Sequence, residues 1–151
     1  MTLETPENLM AYCLSHNVNV RMAVASHPSL PREAFELLSN DDSGHVQETV
    51  AANLNTPPDL LAMLGESKDW GVKYAVATNP NTPPETLHKL AEIGGYLIEE
   101  IVAENPNTSS ETLVNCLAKT KRYSLCCIVL KHSNTPYNFW IDTWFKARTL
   151  P

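Results

Sequence analysis

Residues 72–90 read VKYAVATNPNTPPETLHKL, and close copies of this stretch run through most of the chain. The copies begin at Val20, Val46 and Ile98, so each step along the chain is 26 residues. A shorter fifth copy begins at Leu125. A fixed period of this length is typical of a solenoid, whose stacked units share one core because no single unit can bury its apolar face alone.

The front of each copy is predicted to be a short helix. In the third copy, Val72, Ala75 and Val76 have the i, i+3, i+4 spacing of one apolar helical face. Asn79 precedes Pro80, and the residue before a proline is pushed out of the α region. We therefore expect this helix to end at the asparagine, where the chain turns a corner.

A second, longer helix is predicted after the corner. Thr82 and Glu85 have the spacing of a capping box, in which each side chain bonds a backbone amide of the first turn. Pro83 would occupy the first helical position, where a missing N–H costs nothing. Gly94 and Gly95 would end the helix and start the next unit. Each repeat thus contains two helices and shows no strand pattern, which predicts an all-α solenoid.

Two apolar positions and one polar position recur in the repeat. The apolar ones are predicted to stack into a continuous core, and the polar ones to bond backbone groups of the corner. The core columns are Leu9, Phe35, Leu61, Leu87, Leu113 and Trp140, and Val24, Val50, Val76, Val102 and Val129; the corner residues are Asn53, Asn79 and Asn105, with His27 and His132 at matching places.

The pattern V-x-x-A-V-A-x-N-P-x-T-P-x-E-x-L, nearly intact from Val72 to Leu87, resembles the variant leucine-rich repeat family. The resemblance covers about residues 2–136. It implies a right-handed superhelix of alternating α- and 3₁₀-helices without a sheet, with the short front segment as the 3₁₀ element. A founding member of that family carries an iron–sulfur centre on N-terminal cysteines. Because only Cys13 lies near the start of this chain, no cofactor is expected here.

The whole chain, residues 1–151, is interpreted as one repeat domain. Its terminal units depart most from the pattern, as end caps do. The predicted units are an N-terminal half-repeat 2–19, repeats 20–45, 46–71, 72–97 and 98–124, a partial repeat 125–136, and an aromatic capping helix 137–148.

The composition favours a folded cytoplasmic protein. No stretch is apolar enough for a membrane span or a secretory signal, and the four cysteines do not form a disulfide framework. The net charge of −6 is uneven: residues 1–111 hold 16 acidic and 5 basic side chains, whereas residues 112–151 hold 1 and 6. The acidic majority argues against a nucleic acid wrapped along the whole solenoid.

A protein partner is the function that the pattern favours, because stacked repeats expose rows of side chains that the core does not dictate. Trp70, expected in a loop, and Tyr74 resemble the aromatic anchors of interfaces, although packing between units would also explain them. The candidate partner-binding residues are Arg21, Met22, Gln47, Glu48, Trp70, Lys73, Tyr74, Glu99 and Glu100.

Other functions have weaker signals. The aromatic C-terminal segment 137–148 could support a homo-oligomer. A nucleic acid could contact the basic end through Lys119, Lys121, Arg122 and Tyr123. A metal- or iron–sulfur-bearing role ranks third, since the cysteines lack ligand spacing, and no metal ligands are assigned. No catalytic motif is visible, so no enzyme is predicted.

Overall fold

The computed structural model describes residues 6–93, 95–119 and 123–136, and these residues form α-helices joined by short turns. The predicted all-α architecture is confirmed. The helices of the described residues are α1 (Pro6–Cys13), α2 (Val18–Ala25), α3 (Arg32–Ser39), α4 (Gly44–Ala52), α5 (Pro58–Leu64), α6 (Trp70–Thr78), α7 (Pro84–Ile93), α8 (Gly95–Glu104), α9 (Ser110–Lys119) and α10 (Tyr123–Lys131).

The helices form two walls. The front wall consists of α2, α4, α6, α8 and α10, each in contact with the next. The back wall consists of the odd-numbered helices, with contacts from α1 to α3, α3 to α5 and α7 to α9. Each repeat thus adds one helix to each wall, and the core lies between the walls. The handedness of the superhelix and the repeat boundaries stay predictions.

The predicted core columns are confirmed. Every described member is buried, including Leu87 in the back wall and Val76 in the front wall. Cys116, at the place of a leucine in the other repeats, is buried as well. Trp140 and the predicted capping helix 137–148 lie outside the described residues, as do residues 2–5 of the half-repeat.

The front helices are α-helices and not the 3₁₀ elements that the resemblance implied. The segment around Val72 is the nine-residue helix α6. It begins two residues earlier than predicted because Asp69 caps it, accepting hydrogen bonds from the amides of Gly71 and Val72. Trp70 therefore lies in the first turn of α6 and not in a loop.

The predicted capping box is wrong. The helix α7 begins at Pro84, and the carbonyl of Pro83 accepts from the amides of Thr86 and Leu87. Thr82 lies one residue too early to cap, and its buried hydroxyl donates to the carbonyl of Val76 at 2.5 Å. The threonine thus ties the corner back to the front helix. The same bond recurs from Thr56 to Val50, Thr108 to Val102 and Thr135 to Val129.

Proline is not what sets the corner. Asn79, before Pro80, has φ −71° and ψ 123°. Asn53 has φ −70° and ψ 124°, although Leu54 follows it. Because the two corners coincide with and without the proline, the proline is not needed for this geometry. The two corners share the hydrogen bonds of the asparagine and of the threonine that follows.

Candidate protein-binding surface

The corner asparagines form a ladder from one repeat to the next. The side-chain amide of Asn79 donates to the carbonyls of Ala51 at 2.7 Å and Asn53 at 3.0 Å, and its oxygen accepts from the amide of Asn81 at 2.9 Å. Asn53 and Asn105 make the same three bonds. The predicted structural role is confirmed, since both donors of each side-chain amide are used within the fold.

A second ladder runs beside the first, nearer the solvent, and the sequence analysis missed it. Asn81 donates to the carbonyl of Leu54, and Asn107 to that of Pro80, both at 2.5 Å. Asn55 and Asn134 bond the preceding repeat in the same way. The signal was present as an asparagine two residues after four of the five corner residues; Ser29 stands at this place after His27.

Arg21 is not part of a free row. Its guanidinium donates to both carboxylate oxygens of Asp41, at 2.6 and 2.9 Å, and to the carbonyl of Ser15 at 2.7 Å. The Arg21 guanidinium holds the pKa of Asp41 below its ordinary value, with a smaller contribution from the amide of Ser43 against the opposing effect of burial. Arg21 therefore fastens the return loop after α3, and its role as a partner contact stays a prediction.

Several other row residues also have partners inside the chain. Gln47 donates to the carbonyl of Asp41 at 2.9 Å, so it holds the same loop. Met22 packs against the core. Glu100 accepts from the hydroxyl of Ser124 at 2.6 Å, and Glu99 also has an internal partner. The sequence had suggested a uniform row of free side chains, and the structure shows instead that several of these candidate residues make contacts inside the chain. Lys73, half-buried on α6, remains a predicted contact.

Trp70 and Tyr74 differ from the rest of the row. They lie one turn apart on α6, with ring centroids 5.2 Å apart and ring planes inclined by 34°. Trp70 is 51% exposed and Tyr74 is 41% exposed. They pack on each other and leave a large aromatic surface facing solvent, so packing within the chain covers them only in part.

Two carboxylates border the aromatic pair. A Cβ at Gly71 would lie 3.0 Å from Oε2 of Glu48, on α4, and 3.2 Å from Oδ1 of Asp69. A Cβ at Gly44 would lie 2.7 Å from Oδ2 of Asp69. The two glycines thus leave the space that the carboxylates occupy next to Trp70. We call Trp70, Tyr74, Glu48 and Asp69 the α6 face.

One arrangement on the back wall resembles a nucleophile and its base. The Nδ1 atom of His88 lies 2.9 Å from the hydroxyl of Thr112, which lies 3.0 Å from that of Ser109. Thr112 is fully buried, however, and Ser109 caps α9 by accepting from the amide of Thr112. A hydroxyl without access to substrate cannot act as a nucleophile, so this network joins α7 to α9 and is not a catalytic centre.

The cysteines and the basic end offer no assembled site in the described part of the chain. Cys13 and Cys116 are buried, and burial raises the pKa of the Cys13 thiol. No group of three metal-binding side chains comes together among the described residues. Lys121 and Arg122 lie outside those residues; Lys119 and Tyr123 belong to α9 and α10, but their side chains are not described.

No helix in residues 6–93, 95–119 and 123–136 combines the length and the apolar character needed to cross a bilayer.

Comparison with known proteins gives one structural match and no sequence match. No family model matches the chain, and no curated protein does so. A solved structure described as a leucine-rich repeat variant with a novel repetitive protein structural motif is similar, with a TM-score of 0.64 and 23% sequence identity. The match covers 87% of this chain and 52% of that one, so this chain spans about half the length of that protein. The likeness shows that the chain has the fold implied by its repeat pattern.

Proposed function

We propose that the protein is a non-catalytic scaffold that binds another protein through the α6 face. The observation that carries the proposal is the stacked and half-exposed pair of Trp70 and Tyr74. Aromatic side chains with a rigid apolar body and a polar tip are the commonest anchors of protein interfaces. A repeat fold hints at the same role, because it presents an extended surface.

The fold also keeps the pair in place. The helix α6 is clamped between α4 and α8, and Asp69 caps its first turn. The pair restricts its own side chains through its mutual contact. A surface ordered before binding loses little conformational entropy when the partner arrives, so more of the contact energy appears as affinity.

A cytoplasmic location is part of the proposal. The four cysteines are all free thiols, and two of them, Cys13 and Cys116, are buried. Free cysteines are usual in reducing compartments.

The test compares partners captured by three forms of the chain. The wild type, the double variant Trp70→Ala/Tyr74→Ala and a control are coupled to a support and exposed to extract from the source cells. The control, Leu54→Ala/Ile93→Ala, removes two side chains that are each 63% exposed but lie away from the α6 face. Bound proteins are quantified by mass spectrometry, and circular dichroism checks that each variant is folded.

The proposal expects at least one protein that the wild type and the control retain and that the aromatic double variant loses. If the aromatic variant captures the same proteins in the same amounts as the wild type, the α6 face is not the binding site. If the control loses the partner as well, the contact is general hydrophobic adhesion and the proposal is wrong.

A further inference from the structure

We infer that the partner presents an arginine to the α6 face, with its guanidinium stacked on the Trp70–Tyr74 pair and its charge facing Glu48. This inference rests on the proposed function and names the chemistry of the partner: a basic, arginine-bearing segment of polypeptide. It follows from the position of the carboxylates, from their lack of cationic partners in the described chain, and from the charge of the surrounding repeats.

The carboxylate of Glu48 comes from the neighbouring repeat. It crosses from α4 to the first turn of α6, where Oε2 would be 3.0 Å from a Cβ at Gly71. Gly71 directly follows Trp70. Glu48 thus places negative charge against the first turn of α6, the turn that carries Trp70, and its side chain is 44% exposed to solvent.

Two acidic side chains elsewhere in the described residues pair closely with arginine, whereas those of the α6 face do not. Asp41 pairs with Arg21 at 2.6 Å, and Asp59 with Arg32 at 2.6 Å. Among the described residues, the nearest basic group to Glu48 is the His45 ring at 3.8 Å.

Asp69 uses its carboxylate to cap α6 and makes no ion pair in the described chain. It and Glu48 approach the same glycine. A cation supplied by a partner would interact favourably with both carboxylates.

The surrounding repeats favour a cationic partner as well. Residues 46–104 contain nine acidic side chains and three lysines. Such a surface attracts basic segments and repels acidic ones, including nucleic acid. Lys68 and Lys73 flank the α6 face in sequence, but neither is paired with Glu48 or Asp69 in the described structure.

Arginine fits the α6 face better than lysine. Its guanidinium is planar, so it can stack on an aromatic ring and still direct N–H donors sideways to a carboxylate. A lysine ammonium is a compact, strongly hydrated charge that does not stack in this way. The combination of an aromatic surface with a nearby carboxylate therefore selects the guanidinium.

The experiment uses synthetic ten-residue peptides with the full chain. Four peptides share glycine, serine and leucine flanks and carry at the centre an arginine, a lysine, a citrulline or a leucine. Citrulline keeps the shape of arginine and removes its charge. Binding is followed through the indole N–H resonance of Trp70, assigned by its loss in Trp70→Ala. The arginine peptide should bind about fivefold more tightly than the citrulline peptide, a ratio typical of one exposed cation–π contact with one exposed ion pair.

Two variants with the same change in net charge separate a local contact from general attraction. Glu48→Gln removes the carboxylate of the α6 face, whereas Glu66→Gln removes one that pairs with Lys89 at 3.5 Å on the back wall. Glu48→Gln should weaken the arginine peptide about threefold and leave the citrulline peptide unchanged. Glu66→Gln should leave both affinities unchanged.

Each other outcome contradicts the inference in a distinguishable way. Equal binding of the arginine and citrulline peptides would show that the charge contributes nothing, and a preference for the leucine peptide would show an apolar partner. In either case the arginine contact is rejected and the proposed scaffold function stands. Equal losses in the two glutamine variants would show attraction to net charge alone. If no peptide shifts the Trp70 resonance, the arginine contact is rejected, and the capture experiment with Trp70→Ala/Tyr74→Ala decides the scaffold function separately.

Discussion

The asparagine corner and the α6 face lie on the same repeats, but the corner keeps the same residue from repeat to repeat and the α6 face does not. At the corner, Asn53, Asn79 and Asn105 repeat the same residue and make the same bonds, each to the repeat before it. On the front wall, Gly44 and Glu48 stand at the places that Trp70 and Tyr74 occupy in the following repeat.

The comparison separates two uses of a repeat. The backbone carbonyls at a corner need a hydrogen-bond donor in every unit, so the same side chain is used each time. The outer positions of α6 are not required by the core, and their residues can differ from repeat to repeat. Repetition therefore marks residues that stabilise the fold. A position that does not repeat can serve either purpose: Trp70 and Tyr74 face solvent, whereas Arg21 holds the loop at Asp41. Four substitutions test this division.

Asn79→Ala should have the largest effect on stability. It removes the side-chain donor to the carbonyls of Ala51 and Asn53 and the acceptor for the amide of Asn81, which costs about 3 kcal/mol in the free energy of unfolding. Urea denaturation measures this cost. Asn81→Ala, in the exposed second ladder, is the control and should cost less than about 1 kcal/mol. Equal costs would mean that burial does not distinguish the two ladders.

Asp41→Asn should have the next largest effect on stability, because it removes the charge that pairs with Arg21. A clear loss of stability would show that Arg21 contributes to the fold. Because the folded state lowers the pKa of Asp41, the ionised pair stabilises the fold above the ordinary pKa of about 4 and loses this contribution as the pH falls through the lowered value.

Thermal unfolding of Asp41→Asn should therefore occur at a lower temperature than that of the wild type at pH 7. The difference between the two should shrink below about pH 4. Asp42→Asn, at the exposed neighbour, is the control and should unfold with the wild type at pH 7. A difference for Asp41→Asn that stays constant into acid would contradict the role of the ion pair.

Thr82→Val should cost about 1 kcal/mol, since it keeps the shape of the side chain but removes the bond to the carbonyl of Val76. Glu85→Ala should cost less than about 0.5 kcal/mol, because Glu85 does not complete a cap with Thr82. Chemical denaturation of the two single variants and the double variant measures their coupling. A coupling of about 1 kcal/mol between them would restore the capping box and contradict the corner bond.

Trp70→Ala should have the smallest effect on stability, about 1 kcal/mol or less, because its ring is half-exposed at the surface of α6 and the variant loses the contact with Tyr74. The same variant should lose the partner in the capture experiment. Denaturation in urea checks the first expectation. A destabilisation as large as that of Asn79→Ala would assign Trp70 to the fold and remove the basis of the binding proposal.

Much of the fold could be predicted from the sequence. The period gave the two helices per repeat, and the recurring leucines and valines gave the core, since a residue that returns at one place in every unit must meet its own copies. The corner asparagines were also assigned correctly. The errors concern neighbours that are near in space but not in sequence: Thr82 was assigned to the helix that follows it and bonds the helix that precedes it.

The candidate site was predicted only in outline. Position within the repeat selected Trp70 and Tyr74, but it also selected Arg21 and Gln47, which hold the loop at Asp41. Nothing in the spacing of those residues indicates that Asp41, twenty residues after Arg21 along the chain, lies against the guanidinium. Tyr74 was expected beside a loop tryptophan, and the pair exists because the Asp69 cap extends α6 to include Trp70.

The sequence by itself determined the period, the helical content and the two core columns, because these depend on spacing along one chain and on identical neighbours. The tertiary structure decided which polar side chains are used up inside the fold and which face solvent. That choice depends on contacts between repeats, such as Glu48 against Gly71 and Asn79 against Ala51. A hydrogen bond or an ion pair requires its two groups to approach within a few ångströms, and only the stacking of the helices brings those groups together.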